Sequence, residues 1–468
     1  MSVHNAADDA AHSEDAGVAE SRANGLAAAG GGGAGGAAKS EERWSEAHFE
    51  GLRRRTDPEA EEFAAAYRRA HPELADARSL VRSLIAELRD AKEKARAQWA
   101  GGGAPDIAPE TGSEGDNSGL LHDFGFDAAL PEWGRDAELL RRGQDVFRDH
   151  GLYQSAALFF AALPMAYAEV SSAKVLAGVS DLATGNLTRR VAETGQMLID
   201  VMGLRGPGTL EPGSPGHATA VGLRLLHAFV RVLVLETGEW DADRYGPPVN
   251  QELLLATLID FSVVTWEAME RLGVDLTPEQ RAANLYIWSV FGHLMGVEVC
   301  RDGPLTLDDL EPINAHLGRR LEPSEEGRRL MGTLLAEMEN FMYLGWRKVP
   351  RSLIHWLFRD GEHGTDRVPH LLGVPPPAWW ATALFAISRA AHRRAWPDPI
   401  GPAVRWLIRK AGRYVIVAYA DRYSGGQAPF RIPAETARAL GVRSSPLAQG
   451  VRSARRRARR AVRAALGR

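Results

Sequence analysis

Cysteine is nearly absent from this 468-residue sequence: Cys300 stands alone, so there is no disulfide framework and no cysteine-based zinc or iron–sulfur site. Such cysteine usage fits a reducing compartment. Charge of one dominant sign is missing as well. Lysine and arginine total 56 against 60 acidic residues, a formal net charge of −4, which excludes a whole-protein role as a nucleic-acid coat and makes any cationic function local. The opening MSVHNAADDAAHSEDAGVAESRANG has neither a cationic n-region nor a continuous apolar h-region, so it does not read as an export signal. Long apolar runs are lacking too. SAALFFAALPMAYAEV, at 155–170, is short and broken by polar residues and Pro164, and it reads as a buried helix rather than a membrane span. The expected location is cytoplasmic. Alternating strand patterns are almost missing; RYVIVAYADRY at 413–423 is the best candidate and reads equally well as a buried helix.

What is present is helical periodicity between segments of biased composition. Residues 1–40 are rich in Ala, Gly, Ser and acidic side chains and bury too little apolar surface to offset ordering entropy, so they are expected to be a disordered arm. Residues 41–100 form a helical N-terminal extension, with Leu80, Leu84 and Leu88 at i, i+4 and i+8. Residues 101–120 read as a linker. The main domain, 121–445, carries marked helix starts at Asn250, at Thr277 with Gln280 three positions on, and at Thr306 before Asp308 and Asp309. ELLLATLIDFSVVTWEAMERLG and NLYIWSVFGHLMGV are apolar on nearly every side, as in helices surrounded by other helices. The tail, 446–468, sets eight arginines opposite a mostly alanine face. Beyond a simple solvated tail, that pattern suits electrostatic contact with an anionic membrane surface, while nucleic acid is not expected.

Chemistry concentrates in two stretches. In GLRLLHAFVR, 222–231, Arg224 precedes His227 by three positions and Arg231 follows by four, so the imidazole lies between two guanidinium groups on one helix face. The plain account is a core histidine bonded to a carbonyl, with the arginines reaching solvent. In NLTRRVAETGQMLIDVMG, Arg190 and Thr194 share a face with Leu198 and Val201 and are expected to point into a packed interior. Arg189 and Glu193 make an adjacent i, i+4 pair.

Arg190-x-x-x-Thr194 followed by His227 in RLLHAFVR resembles the catalytic domain of the latex-clearing protein and MpaB-type oxygenase family. The resemblance runs from about Asp145 to Val442, through PVNQELLLATLIDFSVVTWEAMERLGVDLTPEQ, LYIWSVFGHLMGV, LLGVPPPAWW and APFRIPAETARALGV. It implies an all-α fold, one large globin-like multi-helix domain around a b-type haem, acting with dioxygen on a hydrophobic, isoprenoid-like unsaturated molecule. On that resemblance His227 is the proximal iron ligand, with Arg224 and Arg231 meeting the haem propionates. Arg190 and Thr194 lie on the oxygen-binding side. The rubber-cleaving branch can carry a lysine just before that threonine; here the residue is Glu193. A catalytic base is also implied, and Glu169 is the nearest acidic candidate, with a place on a helix surface as its plain account. His293 and His217 are the rival ligands, and His217 is expected near the surface. Met197, Met202, Met269 and Met295 read as core. The extension, outside the resemblance, is expected to be dispensable for cofactor binding. The alternative function is a helical haem or lipid carrier without turnover.

Overall fold

The computed structural model describes residues 43–74, 76–100, 124, 130–182, 187–202, 210–342 and 346–393. The 1–40 arm, the 101–120 linker, the 413–423 segment and the arginine tail lie outside the described residues.

Among the described residues the fold is all-α, and the only extended pairing is an isolated bridge between Glu169 and Leu321. The extension forms α1 (Glu46–Arg54), α2 (Pro58–Ala70) and α3 (Ala77–Ala100). The main domain begins with α4 (Ala137–Ala157), which runs through a π-helical turn, π1 (Leu158–Ala162), into α5 (Leu163–Ala168). Next come α6 (Val170–Leu182), α7 (Leu187–Val201), the long α8 (Pro215–Leu235) and the short α9 (Ala242–Tyr245). Helix α10 (Gln251–Ile259) passes through a second π turn, π2 (Asp260–Val264), into α11 (Thr265–Arg271). The chain ends its described course with α12 (Pro278–Leu294), α13 (Leu310–Arg319), α14 (Glu325–Phe341), α15 (Val349–Phe358), α16 (Val368–Leu371) and α17 (Trp379–Arg393).

The expected helix starts are capped by the side chains that mark them. Asn250 accepts from the Leu253 N–H, Thr277 and Gln280 complete a reciprocal capping box, and Thr306 does the same with Asp309. Each satisfies donors that a helix end leaves open.

Helices α12 and α4 pack along one another, α14 lies on α6, and π1 meets π2 in the middle of the domain. The hydroxyls around π2 answer its widened hydrogen bonding: Ser262 donates to the Leu258 carbonyl at 2.7 Å and Thr265 to that of Asp260 at 2.9 Å. Met197, Met202, Met269 and Met295 are all buried, as core filling requires.

Two apolar clusters result. The larger fills the main domain. The smaller joins Phe63, Tyr67, Leu80, Leu84 and Leu88 of the extension to Leu225, Ala228 and Phe229 of α8. The extension is therefore part of the packed structure, not an appendage. Helix α8 is long and apolar enough to cross a membrane by length and composition alone, but 67% of its most apolar window is buried within the protein, as in the central helix of a bundle.

Candidate functional site

Helix α8 starts at Ser214, whose hydroxyl accepts from the His217 N–H at 3.2 Å, with Pro215 in the first turn. His227 lies three turns further, and its Nδ1 is enclosed with no hydrogen-bond partner among the described residues. Burial, aided by the nearby Arg231 charge and opposed by Asp57, pulls its pKa from 6.5 down to about 4. At neutral pH the ring is an uncharged imidazole, the protonation state a metal requires of histidine.

The two arginines do not both face a cofactor. Arg224 Nε donates to Asp57 Oδ2 at 2.5 Å, while its Nη2 donates to Asp57 Oδ1 at 2.8 Å and to Glu59 Oε2 at 2.6 Å. Its Nε and Nη2 are taken by Asp57 and Glu59 at the start of α2, so this side of α8 meets the acidic helix start of the extension, and the propionate contact that the resemblance gives Arg224 gains no support from this geometry. Gly296 lies so close that a Cβ there would sit 2.3 Å from Asp57 Oδ2 and 2.6 Å from Arg224 Nε, and its φ of +74° independently favours glycine. Arg231 is different. Its Nη1 donates to the Val249 carbonyl at 2.9 Å and its Nε approaches Glu61 at 3.1 Å, while Nη2 is buried without a partner. Val249 holds a φ of +51°, a conformation rare for a β-branched residue and one that neighbouring contacts must hold in place.

Helix α7, which carries Arg190 and Thr194, packs against α8. Buried Asp200 ties the two helices, accepting from Gln196 at 2.7 Å and from the Thr219 hydroxyl of α8 at 3.2 Å. Met197, Leu198 and Val201 are buried, but Thr194 is exposed. The expectation that Thr194 points into a packed interior is corrected, since the buried stripe of α7 begins one turn later. The side chains of Arg189, Arg190 and Glu193 lie outside the described residues.

The rival histidines resolve differently. His293 sits with its Nδ1 3.1 Å from the Cys300 carbonyl and its ring edge-on to Trp133, a satisfied core histidine. His217 is fully buried rather than near the surface, because α8 begins inside the bundle.

Glu169 is not a surface charge either. It lies at the junction of α5 and α6, 9% exposed, accepting from the Ser171 hydroxyl at 2.8 and 2.9 Å and from the Ser172 N–H at 2.5 Å. It lines a cleft with Met165, Leu253, Asp260, Val263 and Leu317, to which α8 contributes no residue. Among the described residues no hydrogen bond or ion pair joins Glu169 to His227. The cleft offers only about 60 Å³ to the centres of water-sized atoms, too little for a porphyrin.

Sequence reasoning missed the acidic partners of the arginines, and it missed Asp260. It also missed Glu252, which accepts from Arg53 at 2.8 and 2.9 Å and bonds His316 at 2.6 Å. Burial works against the Glu252 charge, yet those partners hold its pKa at about 2. The available signal was two acids, Glu252 and Asp260, set into one otherwise apolar stretch.

A haem would find part of what it needs here. Among the described residues no three His, Cys, Asp or Glu side chains converge, so a metal would need ligands beyond the protein's own. His227 offers an unprotonated nitrogen, and Arg231 keeps one buried donor free for an anionic group. That pair fits; Arg224 does not.

Known proteins resemble the chain in both sequence and fold. Residues 149–465 match the family described as ER-bound oxygenase mpaB/B'/Rubber oxygenase, catalytic domain. A rubber oxygenase of Streptomyces sp. (strain K30) is 26% identical over 319 residues, covering 62% of this chain and 70% of that protein. The solved structure of latex clearing protein LCP in the closed state superposes with a TM-score of 0.56 at 20% identity, covering 78% of this chain and 91% of that one, so the all-α fold is shared. With its catalytic-domain match spanning more than half of the sequence, the chain belongs to the ER-bound oxygenase mpaB/B'/rubber oxygenase family.

Proposed function

We propose that the chain is a haem b-dependent oxygenase that uses dioxygen on a hydrophobic, unsaturated, isoprenoid-like molecule, with His227 as the protein ligand to iron. Membership of an oxygenase family supports the reaction class. The observation that carries the ligand assignment is the enclosed, partnerless Nδ1 of a His227 ring held neutral at a pKa of about 4. Core histidines ordinarily find a hydrogen bond, as His293 does.

In this reading the haem, when bound, supplies the redox chemistry with dioxygen. The protein's own groups bind, orient and keep water away. His227 holds its nitrogen uncharged, and the partnerless Nη2 of Arg231 takes a carboxylate of the cofactor. By the resemblance, Arg190 and Thr194, on the helix packed against α8, are the donors for the side where oxygen chemistry occurs, which for the exposed Thr194 requires that the bound cofactor and substrate cover it. Glu169 accepts or returns a proton only if substrate bridges its cleft to the His227 side, so it stands apart from the other residues. The large apolar cluster of the main domain supplies the dry surroundings.

The test is the absorption spectrum and haem content of protein from haem-supplied cells, followed by product analysis with short isoprenoids. Wild type should carry about one haem per chain, and His227→Ala should lose it while retaining its helicity. A folded His227→Ala with full haem and an unchanged spectrum overturns the ligand. Thr194→Val, nearly isosteric, should keep haem and lose on the order of 10²-fold in turnover, the usual effect of removing one preorganised donor. Haem without turnover across a broad alkene panel would make the protein a carrier.

A further inference from the structure

The cleft that holds Glu169 contains a second buried carboxyl. Asp260 opens the π2 turn, is 8% exposed, lines the cleft, and forms no side-chain hydrogen bond with any described residue. Its neighbour Glu169 is satisfied by Ser171 and Ser172. The nearest guanidinium, Arg320, stands 4.0 Å from Glu169 and 3.8 Å from Glu252, and is shared between those two. A buried carboxyl without a partner is costly, and this one faces open space.

The surroundings narrow what could fill that space. Two adjacent carboxyl groups disfavour an anion. A hydrated metal ion fits poorly against the wall of Met165, Leu253, Val263 and Leu317, and no third His, Cys, Asp or Glu converges among the described residues. A cavity volume of about 60 Å³ suits a slender chain better than a bulky ring. What remains is an organic cation with hydrogen-bond donors at one end and an aliphatic body behind it.

We propose that this cleft is a binding site for a protonated, unbranched aliphatic amine. Its ammonium is held between Asp260 and Glu169, and its chain lies along Met165, Leu253, Val263 and Leu317. An ammonium has three donors and no acceptor, so it gives Asp260 the partner it lacks while completing Glu169. This site shares Glu169 with the proposed function but does not depend on His227 as iron ligand.

Burial, reinforced by the charge of Glu169, raises the Asp260 carboxyl well above its usual range, and burial raises Glu169 against the pull of the serine donors and Arg320. The other charged or titratable groups at the cleft are Glu267, paired with Arg271, and Glu362 and His363 at the mouth, with Glu311 beside His363. An ammonium favours the ionised form of each carboxyl it touches, so docking shifts their protons toward buffer, with no covalent change.

The experiment is calorimetric titration of the full chain with n-octylamine at pH 7.5 in two buffers of different ionisation enthalpy. Octan-1-ol, octanoate and methylamine serve as comparison ligands. Octylamine should bind with net proton release, and at least 10-fold more tightly than each comparison ligand. Asp260→Asn should weaken it on the order of 10- to 100-fold, the range for losing a hydrogen bond to a charged group. Met165→Trp, which narrows the aliphatic wall and leaves the carboxyls in place, should weaken octylamine and spare methylamine, and it serves if Asp260→Asn fails to fold. Equal binding of octylamine and octanol, unchanged affinity in a folded Asp260→Asn, or binding without proton release would each overturn the proposal.

Discussion

His227, half-buried with its Nδ1 enclosed, and the buried Asp260 are titratable groups without a hydrogen-bond partner among the described residues at the enclosed atom or carboxyl, and the fold treats them in opposite ways. Around His227 the charges are close and positive: Arg231 adds to burial in driving the proton off, leaving a neutral base. Around Asp260 the neighbouring charge is negative: Glu169 adds to burial in favouring the protonated carboxyl. Burial alone would neutralise either group. The neighbours decide what each becomes chemically, a lone pair that can be offered to a metal or an acid that ionises when a cation arrives.

The two regions also differ in what holds them. The Asp260 cleft is walled by helices of the main domain, whereas the His227 helix is covered on one side by the extension. Deleting residues 1–100 would strip Phe63, Tyr67, Leu84 and Leu88 from Leu225 and Phe229 and leave Arg224 without its carboxylates. The largest expected effect is therefore loss of a cooperative thermal transition in circular dichroism. A truncated chain that melts like the full one would show that the extension is an appendage after all.

Asp57→Ala tests the same wall at one atom group. Asp57 is 5% exposed, caps α2 through the Ala60 N–H and holds Arg224 with two bonds. Removing one member of such a pair strands the other charge, so urea unfolding should show a loss of about 3–5 kcal/mol. Glu59 bonds the same guanidinium, but its side chain is 72% exposed, and Glu59→Ala should cost at most about 1 kcal/mol. Similar losses in both variants would mean that burial does not set the strength of this clamp.

These acidic partners mark where sequence reading stopped. The all-α class, the helix starts and the buried methionines were legible because they rest on local periodicity and capping, which act within a few residues. His227 and its flanking arginines were legible as a constellation on one face. Their partners were not: Asp57 is 167 positions from Arg224, and nothing local to either residue announces the pairing. Thr194 was misplaced for a related reason. Helical spacing groups it with Leu198 and Val201, but where a buried stripe ends depends on the neighbouring helix. Asp260 was overlooked because a single acid in an apolar run stands out only once the second carboxyl, Glu169, is brought beside it by the fold.

The His227 half of the comparison has a pH signature. A folded-state pKa of about 4 against 6.5 for the free residue means that between those values the unfolded chain binds more protons, so stability falls as pH drops through 6.5 and levels off below 4. The full span corresponds to about 3 kcal/mol at most. His227→Gln should flatten this limb in urea titrations of cofactor-free protein between pH 7 and pH 4. An unchanged slope would assign the acid sensitivity to other groups and remove the main electrostatic feature of the site.

Asp260→Asn should produce the smallest change near pH 4, and the direction of its effect at higher pH is the informative part. A raised folded-state pKa means the folded protein retains a proton that the unfolded chain has already lost, so stability declines as pH rises from the ordinary carboxylate range toward the folded value. Asparagine is close in shape to the protonated acid and has no proton to lose. Wild type and variant should therefore be closest in stability at or below the ordinary carboxylate range and diverge as pH rises above it, with the variant the more stable on the alkaline side. Because Glu169 contributes to raising Asp260, Glu169→Gln should shrink the divergence measured for Asp260→Asn. If instead the two proteins keep a constant offset from pH 5 to pH 9, Asp260 is ionised throughout, and the cleft holds a stable charge in place of the poised acid that distinguishes it from His227.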